Sequence, residues 1–286
     1  MRIIDILNSK RVTISFEVFP PKTTSGYASV EQATEKIAAL RPDFMSVTYG
    51  AGGGTSEYTL GIAANLKAKY GTEVLPHLTC VSSTRAHVRE MLREFQNRGF
   101  ENIMALRGDI PADGAVSHDY QYACQLIEDI RSHGDFCIGG ACYPEGHVEC
   151  DHKNQDILHL KEKVDAGCSF LTTQLFFDNS ILYNFLYRIR EAGISVPVLA
   201  GIMPITNARF LKRSVAMSGT VVPARFLAMV DRFGENPEAM KQAGITYACE
   251  QIVDLISNEV NHIHVYSMNK PEVAEGILNH LSEILK

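Results

Sequence analysis

The sequence predicts a single (β/α)8 barrel that spans residues 1–286, and three observations predict it. Short runs rich in β-branched and aromatic residues alternate with amphipathic stretches along the chain. Several of the eight runs are almost continuously apolar, which is typical of parallel strands covered by helices. Glycines end five of the intervening stretches, where a chain leaves a helix for the next strand. This alternation favours a closed barrel, with a doubly wound sheet as the alternative fold.

The predicted elements follow from this alternation. The eight predicted strands are Thr13–Phe19, Phe44–Tyr49, Val74–Cys80, Asn102–Arg107, Phe136–Tyr143, Phe170–Phe177, Val196–Met203 and His262–Met268. Between them, apolar residues recur at helical spacing in three clear stripes. The stripes are Val30, Ala33, Ile37 and Leu40; Val88, Leu92 and Phe95; and Ile157, Leu160 and Val164. The glycines expected to adopt left-handed backbone are Gly71, Gly99, Gly134, Gly167 and Gly193.

Composition and charge restrict the classes of partner. The segment from Thr206 to Asn261 has room for more than one helix, and no linker or second domain is evident. A net charge of −6 without a block of Lys and Arg argues against nucleic acid or an anionic membrane as the main partner. The apolar runs fall well short of the roughly 20 residues of a membrane span. No signal-peptide core is present, and seven scattered cysteines suggest reduced thiols, so we expect a cytoplasmic location.

Polar residues gather where the predicted strands end. The active site of a (β/α)8 barrel lies at this end of the strands, so a polar rim favours an enzyme over a structural protein. Glu17 is unusual because it lies inside an otherwise apolar strand. Burial favours the neutral form of a carboxyl group, which suits Glu17 to proton donation. The alternative is a Glu paired with a buried Arg or Lys in a layer of the barrel.

Three further segments allow more than one interpretation. Arg107 and Asp109 flank Gly108, either as an internal ion pair or as a cofactor clamp in which the glycine allows a ring to approach closely. The glycine-rich segment 50–55 could bind an anion, but a flexible loop with Thr55 as a helix N-cap is favoured. Residues 147–152 contain His, Glu, Cys and Asp, yet they lack a second ligand pair at zinc spacing, so no metal is predicted.

Several motifs, in order along the chain, resemble those of the methylenetetrahydrofolate reductase family. They are Ser15–Lys22, Ser46–Ala51, Pro76–Cys80, Ala105–Asp109, Tyr143–His147, Thr173–Phe177 and Tyr266–Asn269. The resemblance covers essentially the whole chain. It implies a (β/α)8 barrel that holds FAD and reduces 5,10-methylenetetrahydrofolate to 5-methyltetrahydrofolate. NADH or NADPH first reduces the flavin and leaves, and the folate then takes a hydride at the same site.

The resemblance also implies roles for individual residues. Glu17 is the general acid, and Asp109 and Gln174 contact the substrate and take part in catalysis. Lys270 meets the glutamate tail of the folate, and Thr48 touches the nicotinamide nucleotide. The other positions that match cofactor contacts are Tyr49, Ala51, His77, Arg107, Gly108, Asp109, Tyr122, Ala123, Tyr143, His147, Asp156, His159 and Lys163.

Two alternatives and one expectation about assembly remain. Another FAD barrel oxidoreductase would use the same scaffold with a different acceptor. The chain could instead be one subunit of a larger electron- or methyl-transfer complex. We expect self-association into a homo-oligomer, because barrels of this size commonly associate.

Overall fold

The chain forms a closed barrel of eight parallel strands in the order β1 to β8, as a computed structural model shows. The structure describes residues 1–21, 23–49, 56–110, 114 and 116–286. The strands are Thr13–Val18 (β1), Phe44–Val47 (β2), Val74–Thr79 (β3), Asn102–Leu106 (β4), Cys137–Cys142 (β5), Phe170–Thr173 (β6), Val198–Ile202 (β7) and His262–Tyr266 (β8). All eight predicted strands are confirmed, and the doubly wound alternative is wrong because β1 pairs with β8.

The predicted sixth strand is too long. It ends at Thr173, although the sequence stays apolar as far as Phe177. Leu175 and Phe177 leave the sheet and pack in a separate apolar cluster with Ile205 and Phe226. The sequence stays apolar after the strand ends because these residues are buried in a second hydrophobic cluster.

Helices cover the outside of the barrel. They are Ile3–Ser9 (α1), Tyr27–Ala39 (α2), Ser56–Tyr70 (α3), Arg85–Asn97 (α4), Ala123–His133 (α5), Lys153–Asp165 (α6), Asn179–Glu191 (α7), Ala208–Ser218 (α8), Ala224–Phe233 (α9), Pro237–Ser257 (α10) and Pro271–His280 (α11). Three of these, α8 to α10, fill the long segment between β7 and β8, as predicted. The predicted stripes face the core, where Ile37, Val88, Leu92 and Phe95 are buried.

Four of the five predicted helix-ending glycines have left-handed backbone. Their φ angles are 64° at Gly71, 66° at Gly99, 123° at Gly167 and 77° at Gly193. The prediction for Gly134 is wrong, because its φ of 173° is ordinary extended backbone. A Cβ there would meet Gln96 Nε2 at 2.7 Å and the ring of Phe136 at 2.8 Å. Gly134 therefore serves close packing.

The barrel interior is apolar at its N-terminal end. Helix α1 directs Ile3 and Leu7 into that end, and Asn102 Oδ1 accepts a hydrogen bond of 2.7 Å from the Ile3 N–H. The buried residues packed with α1 are Phe44, Leu75, Met104, Cys137, Phe170 and Leu199. Polar interior residues therefore lie toward the opposite end, where a barrel carries its active site.

Two further features concern the chain as a whole. Within the described ranges, none of the helices combines the length and the apolar character that crossing a bilayer requires. All seven cysteines are free thiols, in agreement with the reduced state that their scattered positions predicted. Burial raises the pKa of Cys80 to about 12, so this thiol is protonated near neutral pH.

Candidate active site

Glu17 lies at the centre of a buried polar cluster inside the barrel. The parallel register places it beside Ser46 on β2 and Tyr266 on β8, and the residue is only 7% exposed. Its Oε2 accepts a hydrogen bond from Ser46 Oγ at 3.3 Å and lies 3.6 Å from His77 Nε2 and 3.7 Å from His264 Nε2. No Arg or Lys in the described part of the chain forms an ion pair with it. Among the described residues, the alternative of a buried Arg or Lys partner therefore finds no candidate.

Two of the side chains around Glu17, those of His77 and Tyr266, are neutral near neutral pH. Burial lowers the pKa of His77 to about 4, against the opposing effect of Glu17, and His264 lowers it further. Burial also raises the pKa of Tyr266 well above its usual value, and the charges of Glu17 and Tyr143 add to this. The Tyr266 hydroxyl donates to the Thr173 carbonyl oxygen at 2.5 Å. Glu17 is thus held among uncharged neighbours, an environment that suits a proton donor.

The sequence did not identify Ser15, Ser46 and His264 as functional residues, although all three belong to this cluster. Ser15 Oγ lies 2.7 Å from Nδ1 of His264, and Ser46 Oγ lies 3.2 Å from its Nε2. Alternation was the available signal, because Ser15 and Glu17 on β1 face the same side of the strand, as do His262 and His264 on β8. The contacts themselves depend on the pairing of the first and last strands.

Arg107 does not pair with Asp109. Its Nη1 and Nη2 donate to the two carboxylate oxygens of Glu149 at 2.5 and 2.8 Å, and this contact raises the pKa of Arg107. The internal Arg107–Asp109 ion pair considered from the sequence is therefore wrong, because Arg107 pairs with Glu149 at the surface. Asp109 is exposed at the rim. Gly108 has a φ of 84°, and a Cβ there would lie 2.9 Å from Thr79 Cβ, so its need for glycine is explained by the protein alone.

His147 and Tyr143 lie together after β5. The ring of His147 meets Tyr143 edge-on with centroids 4.6 Å apart, and its Nδ1 accepts a hydrogen bond of 3.1 Å from the Glu149 N–H. The neutral ring therefore carries its proton on Nε2. Burial lowers the pKa of His147, and Arg107 lowers it further. Asp156 Oδ2 accepts a hydrogen bond of 3.3 Å from the His147 N–H and so fixes this loop on α6.

Lys163 is a half-buried lysine on α6. Its Nζ donates to the Ala141 carbonyl oxygen at 2.5 Å, and no carboxylate within the described ranges pairs with it. Burial lowers its pKa. An ammonium group has three donors, so two remain for a further acceptor.

The remaining residues predicted on this side lie at the surface. Tyr122 and His159 are exposed and stack with centroids 6.4 Å apart and an angle of 9° between their planes. Ala123 is the first residue of α5, so it lies at a helix N-terminus. Together with Lys163 and His147, these residues line one side of the barrel mouth from α5 to α6.

The predicted contact positions Thr48, Tyr49 and Gln174 each lie in a different environment. Thr48 is half-buried, and its carbonyl oxygen accepts from Thr59 Oγ1 at 2.9 Å. The ring of Tyr49 packs in the core between barrel and helices, and its hydroxyl lies 3.0 Å from His87 Nε2. Ala51, the rest of segment 50–55 and the N-cap predicted at Thr55 lie outside the described residues. Gln174 directly follows β6, and its Oε1 accepts from the Leu175 N–H at 2.9 Å.

Lys270 lines a cavity of about 420 Å³ beside the barrel mouth. Its Nζ donates to Thr206 Oγ1 at 2.7 Å. Asn207, Arg209 and Phe210 line the same cavity. Within the described residues, no group of three or more His, Cys, Asp or Glu side chains is arranged to hold a metal ion.

Comparison with known proteins gives a consistent result. The family model described as methylenetetrahydrofolate reductase matches residues 2–282. The chain is 34% identical to the 5,10-methylenetetrahydrofolate reductase of Escherichia coli K12, over 95% of this chain and 91% of the relative. It is also 34% identical to methylenetetrahydrofolate reductase (NADH) 1 of Arabidopsis thaliana, over 99% of this chain and 51% of that longer protein.

Solved structures support the fold. A Clostridium thermocellum protein described as binding two copies of 5-methyl-5,6,7,8-tetrahydrofolic acid superposes with a TM-score of 0.70 at 16% identity, over 99% of both chains. A 2,3-dimethylmalate lyase superposes with a TM-score of 0.52 at 9% identity, over 100% of this chain and 87% of the lyase. At these identities the likeness concerns the barrel alone.

Proposed function

Because the chain belongs to the methylenetetrahydrofolate reductase family, a family of oxidoreductases, we propose that it reduces 5,10-methylenetetrahydrofolate to 5-methyltetrahydrofolate. FAD is the proposed resident cofactor, and NADH or NADPH is the proposed electron donor. The observation that carries the proposal is the buried carboxyl group of Glu17 among the uncharged side chains of His77 and Tyr266. Such a group can deliver a proton to a substrate in the barrel mouth.

The proton has a clear chemical purpose. A methylene group that bridges N5 and N10 is a poor hydride acceptor, whereas the iminium formed when the N10 bond opens is a good one. Opening that bond requires a proton at N10, and we assign its donation to Glu17. Bound FAD supplies the hydride. The protein itself provides the acid, the orientation of the folate and a site closed from water on the α1 side.

The substrate contacts follow from the positions of three side chains. Asp109 is exposed at the rim, where its carboxylate can accept hydrogen bonds from the N–H groups of the pterin. Gln174 has its Oε1 engaged by Leu175, so its amide N–H groups are left to donate. Lys270 lines the cavity beside the mouth, where its ammonium group can meet the carboxylates of the glutamate tail.

The residues along α5 and α6 fit a flavin dinucleotide. Its phosphates need cations and N–H donors, and half-buried Lys163 offers an ammonium group that no described carboxylate pairs with. The N-terminus of α5 at Ala123 and the Nε2–H of His147 add donors. Tyr122 and His159 offer exposed ring faces. At Tyr49, whose ring packs in the outer core, a contact with the cofactor would use the main chain.

Replacing Lys163 by Met is expected to weaken FAD binding and to stabilise the apoprotein. Loss of a charge-assisted contact to phosphate should raise the Kd for FAD about tenfold to a hundredfold. In the apoprotein the folded state has the lower lysine pKa, so the charge destabilises the fold at neutral pH and this effect disappears as the pH rises past the folded-state pKa. FAD titration and thermal unfolding of the apoprotein measure the two effects.

Lys161→Met is the matched control for this variant. Lys161 lies on the same helix and pairs with Asp165 at 3.0 Å on the surface. We expect this change to leave FAD affinity as it is. An unaltered Kd in the Lys163 variant would exclude a phosphate contact at this position.

The proposed activity is tested by the visible spectrum of the purified protein under anaerobic conditions. We expect a bound flavin that bleaches with NADH or NADPH and recovers when methylenetetrahydrofolate is added. Bleaching without recovery would favour another FAD barrel oxidoreductase with a different acceptor. A protein that cannot be loaded with FAD would contradict the proposal at its base. The mass of the native protein tests whether it forms the expected homo-oligomer. A mass that includes a different subunit would favour the alternative of a larger electron- or methyl-transfer complex.

A further inference from the structure

A continuous series of hydrogen-bond contacts runs from the main chain of β8 to Glu17. Ser15 Oγ lies 3.2 Å from the Ile263 carbonyl oxygen and 2.7 Å from His264 Nδ1. On the other side of the ring, His264 Nε2 lies 3.2 Å from Ser46 Oγ, which lies 3.3 Å from Glu17 Oε2. The His264 residue is 2% exposed, and both serines are 0% exposed. The series is therefore shielded from bulk solvent.

The direction of the first contacts follows from where the hydroxyl proton of Ser15 lies. We assign this proton to the Ile263 carbonyl oxygen, and Nδ1–H of His264 then donates to Ser15 Oγ. Two arrangements then satisfy every remaining group. In one, Glu17 is protonated and donates to Ser46, which donates to a neutral His264. In the other, an imidazolium donates to Ser46, which donates to the Glu17 carboxylate. The two arrangements contain the same number of protons.

We propose that Ser46 joins His264 and Glu17 into one unit that holds a single shared proton, with His264 as a positioning residue for the general acid. In the transfer, the Nε2–H bond of His264 breaks as an O–H bond forms on Ser46. The original O–H bond of Ser46 breaks as one forms on Glu17. The inference rests on the proposed function, since N10 of the folate receives the proton.

Within the described residues, the titratable side chains that accompany Glu17 near His264 are those of His77 and Tyr266, and both are uncharged near neutral pH. From β3, His77 is neutral, because burial lowers its pKa to about 4. From β8, Tyr266 is neutral, because burial raises its pKa well above the usual value. From β2, the ring of Phe44 stacks on the imidazole with centroids 6.1 Å apart and 13° between the planes.

The test replaces His264 by Gln, which keeps an amide for hydrogen bonding and cannot exchange a proton. The rate of the folate half-reaction is measured in single turnovers of the FAD-loaded enzyme at pH 6 and pH 8.5. We expect the ratio of the rate at pH 8.5 to that at pH 6 to fall about tenfold below the wild-type ratio, because only one base then holds the proton. In a Ser46→Ala background, His264→Gln should change the ratio no further, since the link is already broken.

His262→Gln is the matched control. His262 lies two positions before His264 on the same strand and contacts Thr13 Oγ1 at 3.1 Å, without a contact to Glu17. This variant should keep the wild-type ratio. Equal ratios in wild type and His264→Gln would overturn the inference while leaving the proposed function intact. Failure of the wild-type folate half-reaction would instead contradict the proposed function.

A measurement on the unaltered holoenzyme gives a second test. Histidine ¹⁵N spectra should show a proton on Nδ1 of His264, which both arrangements require. The Nε2–H tautomer would overturn the proton count and the inference with it. This result does not depend on whether a substituted barrel folds.

Discussion

Replacing Glu17 by Gln is expected to slow the folate half-reaction about 10²- to 10⁴-fold, the usual contribution of a general acid. Gln has nearly the same shape and can still accept from Ser46 Oγ, so the cluster around it should persist. It has no acidic proton for N10. The measurement is the reoxidation rate of the NAD(P)H-reduced flavin by methylenetetrahydrofolate in stopped flow.

Reduction of the flavin by NADH or NADPH is the internal control for this variant. That step places no proton on N10, so its rate should match the wild type. Normal reoxidation by the folate in the Glu17 variant would exclude Glu17 as the acid. Loss of both half-reactions would show instead that the carboxylate supports the cofactor.

Replacing Gly244 by Ala is expected to destabilise the barrel by about 3 kcal/mol, at the upper end of the usual effect of overpacking. Gly244 lies in α10, and a Cβ there would lie 1.9 Å from the Ile205 carbonyl oxygen. That oxygen belongs to the main chain after β7, so relief requires the helix and the loop to separate. Thermal and urea unfolding midpoints measure the effect.

Gly276→Ala is the matched control for the stability prediction. Gly276 lies in α11, and its added methyl group would meet the flexible end of Ile245 at 3.2 Å. Ala is favoured over Gly in a helix by up to about 1 kcal/mol, so this variant should be neutral or slightly stabilised. Equal midpoints in the two variants would show that α10 moves away from the loop without loss of stability.

The barrel was predictable from the sequence because its signals are local. Each strand carries its own β-rich run, and helix stripes such as Val88, Leu92 and Phe95 repeat at a fixed spacing. Strand ends were less predictable. The run to Phe177 stays apolar because a second core, built from α8 to α10, also needs apolar residues.

Glu17 was identifiable as unusual from its strand alone, and its buried position confirms that interpretation. Its partners were not identifiable. Ser46 and His264 lie on the two neighbouring strands, and which of their residues meets Glu17 is decided by register. The same limit applies to Arg107, whose partner Glu149 lies in the next loop. The sequence shows that Asp109 lies two positions from Arg107, but it does not show that Glu149 lies closer to Arg107 in three dimensions.

The contacts that close the barrel have a consequence for how activity is acquired during folding. Ser15 and His264 are separated by 249 positions, and Asn269 exchanges two hydrogen bonds with the main chain of Phe19 across 250 positions. Contacts between distant positions form late, because a long loop must close before they gain any energy. Glu17 and the imidazole of His264 come together only when β1 pairs with β8. A refolding chain should therefore regain most of its helix content before it regains catalysis.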